Sequence, residues 1–180
     1  MILRTATEAD LPALRKVMAR AITELQAPFL DAAQVVASAT MMGLDTQLIT
    51  DGSYIVAEID GRIVSGGGWS RRATSYGGDH SPGRDARLLD PDREAARIRA
   101  MYTDPIFARQ GLGRAVLRAC EAKAVGAGFH AAELVATLAG EPLYAAEGYV
   151  AIERFDDANG AVPVPLIRMR KPLAGVAGGG

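Results

Sequence analysis

Leu11, Leu14, Val17, Met18, Ala21, Ile22 and Leu25 recur at three- and four-residue intervals, which predicts a helix with one buried face running to about Leu25. Thr7 to Asp10 before it reads as a cap with acidic residues in the first turn, and Pro12 sits where its missing N–H costs least. Residues 2–6 predict a short strand. Pro28 ends the first helix, and Asp31 caps a second one through about Met42. Ser53 to Ile59 is a β-rich run, Asp60-Gly61 a hairpin signal, and Arg62 to Trp69 the return strand.

From Arg71 to Asp92 the periodicity dissolves into glycines, prolines and charges, predicting a long loop of the kind that is often functional or mobile. Arg97 to Thr103 is the next strand, Gly113 to about Val125 a helix, and Ala131 to Leu138 a strand. Glu141 to Glu147 predicts a short helix closed by Gly148, followed by strands Val150 to Phe155 and Pro165 to Met169 around the turn Asp156-Asp-Ala-Asn-Gly160. Ala174 to Gly180 reads as a flexible tail, so the expected organisation is one domain, 1–172, with tail 173–180. Alternating strands and helices after residue 97, with hairpins on either side, predict a mixed α/β sheet whose parallel connection is right-handed.

Composition narrows the setting. The chain has 180 residues, 49% hydrophobic, with 20 basic and 21 acidic side chains and a net charge of −1. That size suits a single substantial core. The balanced charge argues against a general nucleic-acid binder. One cysteine allows no internal disulfide and suits a reducing compartment. The N-terminus lacks the apolar run of a secretory signal, and no stretch approaches the ~20 apolar residues that span a bilayer. The expectation is a cytoplasmic protein with no membrane partner. No His, Cys or carboxylate cluster has metal-ligand spacing.

The chemistry concentrates in Ile98 to Leu117, where a strand runs into a short turn, the pair Gly111 and Gly113, and a helix. Glycines there let main-chain N–H groups close on an anion, and the helix aims its positive end at the same point. A plain strand-to-helix corner is the alternative. A Walker loop is excluded because Arg114 and Ala115 follow Gly113, and a dinucleotide fingerprint fails at Val116.

The element order, the turn Asp104-Pro-Ile-Phe-Ala-Arg-Gln-Gly-Leu-Gly113, the helix start Arg114-Ala-Val-Leu117 and the segment Leu143-Tyr-Ala-Ala-Glu-Gly-Tyr149 together resemble the GNAT superfamily of acetyl-CoA-dependent N-acetyltransferases, over residues 2 to about 171. The resemblance implies a twisted, mostly antiparallel sheet of six to seven strands with one splayed parallel pair, flanked by about four helices. It implies acetyl-CoA as co-substrate, its pantetheine arm held by the main chain of Met101, Tyr102 and Thr103, and its pyrophosphate by Gln110, Gly111, Gly113 and Arg114. A main-chain N–H near Met101 would polarise the thioester carbonyl. Ala108 stands where the family's signature opens with Gln or Arg, which makes Arg109 or Arg114 the substitute side chain. Tyr144 matches the family's general acid, protonating the departing thiolate.

The amine acceptor arrives protonated and needs a proton sink. Glu94, Glu58, His80 and a water chain all remain open for that task, since the family's usual strand position carries Arg97-Ile-Arg99 instead. Arg99, or Arg97, could grip a carboxylate on the acceptor, and Trp69, after Gly66-Gly67-Gly68, could floor its site. Cys120 reads as core and His130 as a loop residue. The reading is acetyl transfer to a primary amine of a small molecule, with anionic amines or amino acids as one class, by direct attack in a ternary complex. Its competitors are an acyl-CoA sensor and a toxin-type transferase acting on charged tRNA. A homodimer is left open.

Overall fold

The computed structural model describes residues 1–174. Seven strands form one sheet in the order β1-β2-β3-β4-β5-β7-β6. The strands are β1 (Ile2–Thr5), β2 (Tyr54–Ile59), β3 (Arg62–Ser70), β4 (Ala96–Thr103), β5 (Ala131–Thr137), β6 (Val150–Asp157) and β7 (Val164–Pro172). Every pairing is antiparallel except β4 with β5. Within the described residues, five α-helices accompany them: α1 (Leu11–Arg20), α2 (Ala32–Ser38), α3 (Thr46–Thr50), α4 (Leu112–Gly126) and α5 (Glu141–Ala146). None is long and apolar enough to cross a membrane.

Strand alternation sorts the core into two layers. Ile55, Ala57, Trp69 and Ile98 face α4 and pack with Val116, Leu117 and Phe129. Tyr54, Val56 and Tyr102 face the other way, onto Leu14, Val17 and Met18 of α1 and Leu48 of α3. A third cluster joins α2 to β7 through Ala37, Met41, Val164 and Leu166.

Local chemistry explains most boundaries. Asp31 accepts from the Gln34 N–H at 2.8 Å and the Gln34 side chain returns to Asp31, a reciprocal cap for α2. The Asp60-Gly61 corner takes φ values of 50° and 74°, the twist a two-residue hairpin needs. The first helix does not run regularly to Leu25. It is α-helical to Arg20 and then widens to π geometry over Ala21–Leu25. Helix α3 carries no amphipathic period to announce it; Asp45 starts it by accepting from the Gln47 N–H. Leu173, within the expected tail 173–180, is buried and donates to the His130 carbonyl at 2.8 Å. Residues 175–180 lie outside the described part.

Candidate active site

β4 and β5 are in register only at Ala96–Ala132 and Arg97–Glu133. Beyond Arg97 they part, and the β5-facing edge of β4 has no strand partner. The divergence is reinforced by a bulge, since two residues of β4, Ala100 and Met101, stand opposite the single Gly67 of β3. Ala100 takes φ +51°, an uncommon conformation for a residue with a Cβ, and its carbonyl turns to accept from the Tyr54 hydroxyl at 2.8 Å. The glycine run of β3 serves this bulge. A Cβ at Gly66 would meet the Tyr54 ring at 2.7 Å, and one at Gly67 would meet Met101 Sδ at 2.0 Å.

At the end of β4 the chain enters the glycine corner. Buried Asp104 fixes its start by accepting from the Ile106 N–H at 3.1 Å while binding Arg20 at 2.8 Å and Arg62 at 2.7 Å. Arg109 (φ +62°) and Gly111 (φ +82°) are left-handed, with Gln110 between them. Ala108 donates back to Pro105, and Ala115 donates to Gly111. Among the described residues, no main-chain N–H from Arg109 through Arg114 has a partner. Six consecutive donors therefore surround the N-terminus of a 15-residue helix, a concave anion site of the nest type. Gly111 is favoured by its left-handed φ, and Gly113 sits close to α5, where a Cβ would lie 3.3 Å from the Leu143 side chain. The Nε of Arg114 is engaged with Glu147 at 2.7 Å, whereas Arg109 is exposed and, among the described residues, in no ion pair.

The splay opens into a cavity of about 110 Å³. β4 supplies one wall from Ile98 to Tyr102, β5 and α5 supply Val135, Thr137 and Tyr144, and the segments 41–43 and 75–77 cover it. Met101, Tyr102 and Tyr144 thus meet in one place. The Tyr144 ring needs Gly140, whose Cβ would come within 3.0 Å of it, and leans edge-on against Tyr149 at 5.9 Å. Its hydroxyl has no hydrogen-bond partner among the described residues. Burial, with Tyr102 and Cys120 nearby, holds its phenol above the ordinary value, so it stays protonated at neutral pH. Tyr102 is pushed up to about 12 by burial, against the Gly43 N–H that donates to its oxygen at 2.8 Å. Thr103 lies beside the cavity, paired with Ser65 at 2.8 Å.

The 71–92 loop, expected to be functional or mobile, is fastened down. Its legs pair through Ala73–Arg87, Thr74–Asp85 and Leu89–Arg71 main-chain bonds of 2.7–2.9 Å. Its tip is sewn to the segment after α2: the Asp79 N–H donates to the Leu44 carbonyl, and Ser81 to the Thr40 carbonyl. Beneath the tip, fully buried Asp45 holds both Arg99 and Arg84, and Arg99 also donates to the Gly77 carbonyl. Arg99 is thus at the cavity wall, but its charge is already shared with Asp45. Its Nε–H is buried without a partner, and burial lowers its pKa against the pull of Asp45.

Trp69 is not at the cavity. It sits on β3, one strand away from the splay, on the face covered by α4, and packs edge-on to Phe129 at 6.3 Å. None of the acidic or basic groups considered from sequence as a proton sink lines the cavity. Glu94 is bound by Arg87, with that guanidinium pulling its pKa down to about 2; Glu58 is bound by Arg4 at 2.6 Å; His80 contacts the Ala39 carbonyl at 2.7 Å. Arg97 pairs with Glu133 at 3.3 Å. Tyr76, which sequence reasoning passed over, does line it. No local motif marked Tyr76, because its partners, Asp157 and Phe155 on β6, are distant in sequence.

A family model for the acetyltransferase (GNAT) domain matches residues 50–151, from just before β2 to the start of β6. Among solved structures, a GCN5-related N-acetyltransferase from Rhodopseudomonas palustris superposes with a TM-score of 0.70 at 18% identity, covering 96% of this chain and 95% of that one. A ribosomal-protein-alanine N-acetyltransferase from Brucella melitensis gives 0.64 at 20% identity, over 96% and 100%. The protein yncA from Salmonella typhimurium, solved with its cofactor acetyl-CoA, gives 0.63 at 18% identity, over 98% and 95%. No curated protein matches the chain by sequence. The structural likenesses carry the fold, while the family match covers more than half of the chain, including the splayed strands and the glycine corner: this protein belongs to the GNAT acetyltransferase family.

Proposed function

We propose that the protein transfers an acetyl group from acetyl-CoA to a primary amine by direct attack within a ternary complex. The observation that carries this reading is the continuity of free main-chain groups along the β5-facing edge of β4 and then from Arg109 to Arg114. The first stretch accepts an extended amide-bearing arm as if it were another strand, and the second takes a diphosphate. Arg109 adds a positive side chain at the corner. The arm then ends in the cavity beside Met101 and Tyr144.

In the transfer step, an N–H at the Met101 bulge stabilises the developing oxyanion. The Tyr144 hydroxyl, protonated and uncommitted, donates to the leaving thiolate. A protonated phenol with no hydrogen-bond partner among the described residues, on a residue lining the cavity, favours a catalyst over a sensor, since it can donate to a leaving thiolate. The Arg84–Asp45–Arg99 cluster carries two guanidiniums against one carboxylate, and the Nε–H of Arg99 remains unmet. Both features support an acceptor that carries a carboxylate as well as its amine.

Release of free thiol from acetyl-CoA across a panel of neutral, acidic and basic amines tests the reaction. Turnover is expected, with acidic amines favoured. Tyr144→Phe is expected to lower kcat by about 100-fold with acetyl-CoA affinity unchanged. Silence across the panel contradicts the proposal.

A further inference from the structure

Six carboxylates of the described chain are buried: Asp10, Asp45, Asp104, Glu121, Glu133 and Asp157. Five of them hold an arginine or lysine. Asp157 is the exception. Only 3% exposed, at the end of β6, it has no cation within ion-pair distance among the described residues. Its partners are neutral donors: the Tyr76 hydroxyl at 2.8 Å, and the Asn159 main-chain and side-chain N–H groups at 3.1 and 2.9 Å. Asp157 is thus the one buried carboxylate of the six whose oxygens are met by neutral donors alone.

Tyr76 connects this carboxylate to the cavity. It belongs to the 75–77 segment that covers the splay and is one of the residues lining the cavity, while its ring packs against Phe155 at 6.1 Å and its hydroxyl donates to Asp157. The other carboxylate near the cavity, Asp45, is saturated by two guanidiniums. Tyr76 with Asp157 is therefore the route from the cavity to a carboxylate that no cation neutralises.

Resting on the acetyl-transfer reading, the geometry points to Tyr76 as the group that takes the proton from the acceptor's ammonium, with Asp157 as its positioning residue and proton sink. The ammonium proton passes to the Tyr76 oxygen as the Tyr76 proton passes to Asp157 Oδ2. The nitrogen keeps the electron pair of the broken N–H bond, Tyr76 is restored as a phenol, and Asp157 becomes a neutral carboxylic acid. The nitrogen pair then forms the N–C bond. As the C–S bond breaks, its electron pair leaves with sulfur, which takes the Tyr144 proton, and the second nitrogen proton replaces it on Tyr144. Asp157 afterwards returns its proton to solvent.

The surroundings suit this role. Burial and the bond to Asp157 push Tyr76 up to about 12, so the phenol holds its proton until the acceptor arrives. Arg168 on β7, itself bound to Glu133 and Glu153, opposes that shift. The sequence hid the pair, since Asp157 reads as one more residue of an Asp-Asp-Ala-Asn-Gly turn.

The test compares two kinds of acceptor. Strongly basic amines such as n-butylamine arrive protonated and need the relay; weakly basic amines such as O-methylhydroxylamine arrive neutral and do not. For Tyr76→Phe, which keeps the ring against Phe155, kcat/KM for the basic amine is expected to fall by about 100-fold or more and for the weak one by less than about fivefold. Asp157→Asn is expected to show the same split, and acetyl-CoA affinity is expected to be unchanged in both. Equal loss on both amines, or no loss on either, overturns the inference while leaving acetyl transfer intact. If the native protein turns over neither probe nor any panel amine, the acetyl-transfer reading fails first and the inference with it. Should Asp157→Asn not fold, Tyr76→Phe alone decides.

Discussion

The two walls of the cavity are built from different material. Along β4 and the glycine corner, the groups on offer are main-chain amides, and what matters is the path of the backbone: a bulge at Ala100, two left-handed residues at 109 and 111, and room at Gly113. Across the cavity, the wall under the 71–92 loop is held by side chains distant in sequence, Asp45 with Arg84 and Arg99, and Tyr76 with Asp157. A main-chain site tolerates almost any side chain that permits the path, so it holds a constant ligand. A side-chain site changes with single substitutions, so it suits a ligand that differs from one protein to the next.

The largest effect is expected where the second wall loses its keystone. Asp45→Ala leaves two guanidiniums without their shared carboxylate beneath the loop and is expected to cost about 3–5 kcal/mol in chemical denaturation. At a temperature where the variant is folded, acetyl-CoA affinity is expected to stay within about twofold. A loss under about 1 kcal/mol, or an equal collapse of cofactor binding, would erase the distinction between the walls.

Gly111→Ala addresses the first wall. Forcing a Cβ into φ +82° is expected to cost about 1–2 kcal/mol and to weaken acetyl-CoA binding by about tenfold as the corner relaxes, while the KM for amine is unchanged. Calorimetry and steady-state kinetics read the two separately. The smallest effect belongs to Arg109→Ala. An exposed charge at the corner is worth about 0.2–1 kcal/mol, so acetyl-CoA affinity is expected to fall about two- to fivefold, with the difference narrowing as salt is added. Salt-independent loss would mean that Arg109 acts on the shape of the corner.

The same division decides what the sequence reveals. The corner was readable because Gly111 and Gly113 act on their own neighbours, and the Asp31 cap and Asp60-Gly61 hairpin announced themselves for the same reason. Helix α3 escaped because five residues hold too little periodicity. Trp69 was placed in the acceptor site because glycines precede it, yet those glycines make room for Tyr54 and Met101. Arg99 was read as a grip for the acceptor's carboxylate, but its partner Asp45 lies 54 positions earlier, and nothing local predicts that contact. Tyr76 and Asp157 are 81 positions apart and meet only in the folded chain.

Main-chain hydrogen exchange with and without acetyl-CoA tests the central claim most directly. Slowed exchange concentrated at 98–103 and 109–114, with 41–43 and 75–77 little changed until an amine is added, is the predicted result. Absence of protection in the first two stretches at saturating acetyl-CoA, or protection confined to the opposite wall, would contradict it.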